Sequence, residues 1–292
     1  MKYPDKIDLH MHSTVSDGTD APAEILSRVK AAGIQLFALT DHDALKGCKA
    51  IIAARQEGDP AFMTGVEFSC MDENGKYHIL GYGYDPNGQA IGEVIEQGHS
   101  YRIEKLRARL DFLKTRFGFD FSEEEEKALF ALDNPGKPHL GNLMVQHGYA
   151  ETKNAAIKEY IDQLQMSDVY ISPEQAIRGI LQSGGIPVLA HPSYGDGDQL
   201  ILGEEMEARI VRLKEMGLQG LETYYSGFTN KLRSEILSFA KQFDLYVTAG
   251  SDYHGKNKLI ALGDTELGAP DEWPKGLRAF LDDVRSRCGY EA

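Results

Sequence analysis

From Lys6 onward the chain alternates between two hydrophobic periodicities, and that alternation limits the fold more than any other feature. Strand-like "KIDLHMHS" is followed by helix-like "PAEILSRVKAAG", then "QLFALTDHD", "LKGCKAIIAARQEG" and "AFMTGVEFSC". Such alternation predicts βα units and a parallel sheet or barrel. "YHILGYGYD" adds a strand, closed by the turn residues of "DPNG". Further along come "SPEQAIRGILQSGG" as a capped helix, "IPVLAHPS" as a strand, "EEMEARIVRLKEMG" as a helix and "LQGLETYYSG" as a strand. A final pair follows, the helix "NKLRSEILSFAKQFD" and the strand "LYVTAGSDYHG". Seven strand candidates result, most of them separated by helices.

The stretch 88–171 breaks the pattern. It carries long, charge-rich helical periodicity, as in "SYRIEKLRARLDFLKTRF" and "NAAIKEYIDQLQ", with "DNPGKP" as an internal loop. The expected organisation is a discontinuous barrel domain, 1–87 with 172–292, and a helical insertion over 88–171 that caps the pocket and selects the substrate. A chain of 292 residues is long enough for one large α/β barrel or two modest domains.

Charge and composition exclude several classes. A formal net charge of −14 argues against clamping of duplex nucleic acid, which needs a basic surface. It permits a phosphorylated substrate, because a few cations can make one pocket positive on an acidic protein. No segment approaches the roughly 18 apolar residues of a membrane span and no basic leader precedes an apolar run, so a cytoplasmic protein is expected. Cys48, Cys70 and Cys288 lack metal-binding or disulfide spacing and read as reduced packing residues.

The histidines are informative through their positions. Six of the nine fall at or just past the end of a strand candidate: His10, His12, His42, His78, His191 and His254. The carboxylates Asp17, Asp41, Asp43, Glu67 and Asp252 fall at the same places. In parallel α/β folds the loops after the strands converge on one face. His10 and His12 are two apart, so on a strand both imidazoles reach the same side and one ion. "SDYHG" repeats the spacing with Asp252 and His254. A lone strand histidine is usually a hydrogen-bonded structural residue. Burying six imidazoles with several carboxylates is another matter, since without a compensating cation the charges would be shifted or neutralised. Nitrogen and oxygen ligands suit Mn²⁺, Fe²⁺ or Zn²⁺, with Mn²⁺ favoured. Nine ligands exceed what one ion takes, and three ions sharing a bridging carboxylate would use them.

The segments "DLHMHSTVSDG", "ALTDHD", "GVEFS", "HILGYGYD", "VLAHP" and "GSDYHG", in this order, resemble the polymerase and histidinol phosphatase (PHP) family of metal-dependent phosphoesterases. The resemblance implies a distorted seven-stranded (β/α) TIM-like barrel and a trinuclear site. It implies His10, His12, Glu67 and Asp252 on one ion, with Glu67 bridging to a second. His78 and His191 would complete the second ion, and Asp17, His42 and His254 would hold the third. The helical insertion and "GKPHLGNLMVQHG" resemble a branch acting on small nucleotides, which removes the 3′-phosphate of nucleoside 3′,5′-bisphosphates or trims short RNA from the 5′ end. Where that branch has arginine in "GRPH", this chain has Lys137, a cation without the planar fork that grips phosphate.

Residue by residue, Lys137 is read as a phosphate contact or a solvated loop lysine. His139 is a substrate contact or proton donor, or a structural residue at a helix start. Arg102 is a candidate substrate contact on a helix whose charges, Arg107 included, are most simply solvated. Asp41, Asp43 and Glu222 are expected to orient imidazoles from behind. Gly18, Gly65, Gly250 and Gly255 either permit close backbone approach or are ordinary loop glycines. The expected chemistry is in-line attack on phosphorus by a water activated between two ions, in a pocket about three charges positive. Other readings are a histidinol-phosphate phosphatase, a 5′-3′ exoribonuclease, and a non-catalytic regulatory module.

Overall fold

The structure is a computed structural model that describes residues 3–166, 169–195 and 199–288. Seven strands form one sheet in chain order: β1 (Ile7–Asp8), β2 (Leu36–Leu39), β3 (Ala61–Asp72), β4 (Gly75–Tyr82), β5 (Ile186–Leu189), β6 (Gly220–Tyr225) and β7 (Tyr246–Gly250). Backbone bonds then join the two ends of the sheet. Leu9 N–H donates to Ala249 O at 3.0 Å, Asp252 N–H to His10 O at 2.8 Å and His12 N–H to Tyr253 O at 2.8 Å. The result is a nearly closed barrel, in which extended backbone beyond β1 and β7 carries His10, His12 and Asp252 side by side.

Strand burial follows from the layers. β2 (LFAL) and β5 (IPVL) are buried along their whole length, as expected for strands covered on both faces. Helices α1 (Pro22–Ala31) and α2 (Lys46–Ala54) cover the first strands. Their core with the barrel contains Met11, Ile25, Val29, Phe37, Leu39 and Ile51. Each such side chain is worth roughly 1.5–3 kcal/mol when fully buried. α1 begins on Pro22, whose missing N–H costs nothing in a first turn. α7 (Pro173–Gln182) begins with a capping box in which Ser172 Oγ accepts from Gln175 N–H and Gln175 Oε1 accepts from Ser172 N–H. α8 (Gly203–Glu215), α9 (Asn230–Gln242) and α10 (Lys275–Cys288) complete the barrel's helices.

In one respect the sheet departs from the all-parallel expectation. β4 runs antiparallel to both β3 and β5. The cause is local: Glu73 and Asn74 form a two-residue hairpin loop between paired Asp72 and Gly75, too short for the crossover that parallel strands need. Gly75 has φ 126°, outside the range of L side chains.

Residues Glu96–Tyr170 form a second compact unit. It contains most of α3 (Gln89–Phe117), with α4 (Glu123–Phe130), α5 (Lys137–Gln146) and the short α6 (Lys153–Ala155). After α6 the segment read as one helix continues as a π turn over Ala156–Tyr160 and a 3-10 turn over Ile161–Gln163. Its own core includes Leu106, Leu113, Leu140, Met144 and Ile161. Among the described residues no helix is long and apolar enough to cross a membrane. Cys48 and Cys70 are buried free thiols, and the side chain of Cys288 lies outside the described residues.

Candidate metal centre

All nine of the histidines and carboxylates singled out as ligands meet at one end of the barrel. His10 and His12 follow β1, Asp17 lies in the next turn, and His42 follows β2. Glu67 lies within β3, His191 follows β5, and Asp252 and His254 follow β7. His78 arrives differently, in the first half of β4, because that strand runs the other way and starts where its neighbours end.

Glu67, 1% exposed, is the hub. Its Oε2 lies 3.1 Å from His10 Nε2, 3.1 Å from His12 Nε2 and 3.3 Å from His42 Nδ1. Its Oε1 lies 3.0 Å from His78 Nδ1 and 3.1 Å from His191 Nε2. Asp252 Oδ1 joins the first group, 3.5 Å from His10 Nε2 and 3.4 Å from His12 Nε2. A third group forms around Asp17, whose Oδ1 is 3.2 Å from His254 Nε2 and whose Oδ2 is 4.0 Å from His42 Nε2. His12 and His42 each present one ring nitrogen to Glu67 and the other towards Asp17.

The first group tests whether a cation fits. His10 Nδ1 lies 2.8 Å from Glu222 Oε1, so its proton is held there and Nε2 presents a lone pair. That lone pair faces His12 Nε2 at 3.2 Å, and both face the carboxylate oxygens of Glu67 and Asp252. Four such atoms packed this way repel unless a metal ion lies among them or the imidazoles carry extra protons. Ligands about 2.1 Å from an ion stand roughly 3.0–3.4 Å apart in tetrahedral or octahedral array, which is the spacing seen. Three such sets of side chains can hold metal: His10, His12 and Glu67; His42, Glu67 and His78; and His12, Asp17, His42 and His254.

The titration behaviour reports the same demand for positive charge. Burial opposes protonation of His10, yet Glu222, Glu67 and Asp252 outweigh it and hold the imidazole well above its ordinary value. His12, likewise buried, is pushed up to about 9 by hydrogen bonds to Asp252 and Glu67. Burial would raise Glu67 and Asp252, but the surrounding imidazoles, with Lys258 beside Asp252, hold both carboxyls well below their usual range. His42, by contrast, is pulled down to about 3 by burial, and His254 is lowered by the same cause. Without metal the cluster would take protons instead.

Supporting side chains fix the loops. Glu222, fully buried on β6, accepts from His10 through Oε1 and from His191 N–H at 2.8 Å through Oε2. Asp41 accepts from Ser13 N–H, Ser13 Oγ and Ser16 Oγ, and Ser16 Oγ lies 3.3 Å from His12 Nδ1. Asp43 accepts from Ser69 N–H on β3. A Cβ on Gly250 would stand 2.2 Å from His10 Cβ, and one on Gly18 would stand 2.3 Å from His12 O, so both glycines allow backbone to pass behind the histidines. Asp43, His191 and Asp252 have φ of 47°, 25° and 57°, left-handed conformations that aim these loops at the cost of strain.

Several contributors went unnoticed in the sequence. Buried Asp8 accepts from His10 N–H, Ser251 N–H, Ser251 Oγ and Gly263 N–H, tying β1 to the loop after β7. Tyr225 Oη donates to Asp252 Oδ2 at 3.0 Å, and Lys258 Nζ pairs with the same oxygen. Only their place on or after a strand could have flagged them.

The candidate substrate residues Arg102, Lys137 and His139 belong to the helical unit. There Lys137 pairs with Asp162 at 2.6 Å, and His139 Nδ1 accepts from Gly136 N–H at the start of α5. A cavity of about 610 Å³, bordered by Lys30, Gln35, Asp59 and Pro60, contains none of the clustered histidines. It adjoins the residues that precede β2 and β3, away from the chemistry.

The family model for the PHP domain matches residues 8–174. A 5′-3′ exoribonuclease from Haemophilus influenzae is 32% identical over 88% of this chain and 93% of its own length. A 3′,5′-nucleoside bisphosphate phosphatase from Chromobacterium violaceum is 28% identical over 96% of this chain and 97% of its own. The solved structure of a Bifidobacterium adolescentis protein, assigned as a metal-dependent phosphoesterase, superposes with a TM-score of 0.79 at 25% identity, covering 96% of each chain.

Proposed function

The chain belongs to the PHP domain family of metal-dependent phosphoesterases, and from that premise we propose that it hydrolyses a phosphate monoester of a small nucleotide, with the 3′-phosphate of nucleoside 3′,5′-bisphosphates favoured. The observation that carries the reading is the convergence of His10, His12, Glu67 and Asp252 with their electron pairs facing one another. The same chemistry extends through Glu67 to His78 and His191, and through His12 and His42 to Asp17 and His254. These nine residues would hold three divalent ions, with Mn²⁺ favoured over Fe²⁺ or Zn²⁺. When bound, the ions activate water as a nucleophile and offset charge on the phosphoryl oxygens.

The chain's own residues supply the positioning. Glu222 fixes the His10 tautomer, so that Nε2 rather than Nδ1 faces the cluster. Tyr225 and Lys258 occupy Asp252 Oδ2 and leave Oδ1 directed inward. Asp17, about one third exposed, brings the third group within reach of solvent, from which a substrate arrives. For a small phosphate ester, positioning and charge stabilisation supply most of the catalysis.

The Haemophilus influenzae relative favours a second reading, stepwise removal of nucleotides from the 5′ end of short RNA by the same cluster. A panel assayed with Mn²⁺ separates the two: adenosine 3′,5′-bisphosphate, 5′-AMP, histidinol phosphate, a short 5′-phosphorylated RNA and a synthetic diester. Fast phosphate release from adenosine 3′,5′-bisphosphate is the expected result. Turnover of the RNA alone would move the assignment to the second reading, and turnover of histidinol phosphate alone would overturn both.

A further inference from the structure

We propose that Lys258 binds the substrate's phosphate, an assignment that rests on the phosphomonoesterase reading. Its position is built by the fold. After His254 the chain makes a 3-10 turn, Gly255–Asn257, which docks on the turn carrying Asp17. Lys256 N–H donates to Thr19 Oγ1 at 2.9 Å, and Asn257 Nδ2 donates to Asp17 O at 2.7 Å. The backbone next to Lys258 is therefore fixed to the partly exposed turn that carries Asp17.

Lys258 spans the boundary between solvent and cluster. The next residue, Leu259, is fully exposed, whereas the Lys258 ammonium reaches Asp252, which is nearly fully buried. Among the described residues it is the only lysine or arginine ion-paired to Asp17, Glu67 or Asp252. An ammonium carries three N–H donors. Asp252 Oδ2 takes one and shares its remaining capacity with Tyr225 Oη. Two donors are left over, on a side chain that stays partly open to water.

A phosphate monoester dianion supplies the missing acceptors. Cations within the cluster would already balance Asp252, which frees the lysine's charge for the other anion that enters. A lysine here acts as a point charge on a non-bridging oxygen, which favours a terminal, doubly charged phosphate over a singly charged diester.

The test compares Lys258→Met, similar in length but uncharged, with Lys258→Arg, using inorganic phosphate as the probe. Calorimetric titration of the metal-loaded proteins reads binding without turnover, and elemental analysis reads metal content. Lys258→Met should weaken phosphate binding roughly ten- to a hundredfold and raise KM for adenosine 3′,5′-bisphosphate by a similar factor, with kcat changed less. Metal content should stay unchanged, and Lys258→Arg should recover most of the binding. Wild-type phosphate affinity in Lys258→Met would overturn the assignment, and so would metal loss that accounts for the weaker binding. Lysine-dependent phosphate binding by a protein that hydrolyses no monoester would leave the lysine's role standing and remove the functional reading beneath it.

Discussion

Replacing Glu222 with glutamine removes one charge and hardly any volume, yet it should disable His10. The carboxylate is fully buried and accepts two hydrogen bonds at 2.8 Å, from His10 Nδ1 and from the His191 main-chain N–H. A glutamine has one acceptor end and one donor end, so it cannot accept both bonds. The His191 N–H cannot change, and leaving it unpaired would cost about 1–3 kcal/mol. The amide oxygen therefore stays on His191 and its NH₂ faces His10 Nδ1, which must give up its proton. That proton moves to Nε2, the atom that faces His12, Glu67 and Asp252. An Nε2–H cannot donate an electron pair to a metal. Loss of such a supporting carboxylate typically weakens metal affinity 10- to 100-fold, or about 1.4–2.7 kcal/mol. Equilibrium dialysis of Glu222→Gln against Mn²⁺, followed by elemental analysis, should show one site weakened by about that factor with the far-UV spectrum unchanged. Wild-type affinity at every site would refute the tautomer argument.

Three further outcomes follow from the same geometry. Asp252→Asn and His10→Ala should each lose nearly all turnover while remaining folded by circular dichroism, and near-native activity in both would remove them from the catalytic set. In metal-stripped protein His12 has its imidazole pushed up to about 9, against an unfolded value near 6.5. Its contribution to stability is therefore fully present below about pH 6.5 and lost as pH rises through about 9, so the Tm of the stripped protein should fall over that window; a flat or rising profile contradicts the assigned contacts. Gly250→Ala would put a Cβ 2.2 Å from His10 Cβ and 2.8 Å from Glu222 Oε1. The overpacking should cost about 1–3 kcal/mol and lower both Tm and Mn²⁺ affinity, and a wild-type Tm would show that the backbone yields freely there.

The strands and the histidines were legible because both depend on local pattern. Buried runs such as "IPVL" have one plausible role between covering helices, and polar residues at strand ends converge in any barrel of this kind. His78 was found by the same rule, although it lies in the first half of an antiparallel strand rather than past the end of a parallel one. The hairpin that reverses β4 is encoded in "DENG", a short turn signal set within a longer alternation that favours crossovers. Asp8 and Lys258 were not legible for a different reason. Asp8 bonds Gly263, 255 positions away, and Lys258 reaches Asp252 only because the turn after His254 docks on Thr19. No periodicity encodes such contacts, since they exist only once the barrel has closed.

Metal stoichiometry tests the central claim most directly. Protein loaded with Mn²⁺, freed of excess ion by gel filtration and assayed for phosphate release in parallel, should carry three equivalents per chain by elemental analysis. Stripping with chelator should abolish activity, and restoring Mn²⁺ should return it. A fully active preparation with fewer than two equivalents would contradict the account.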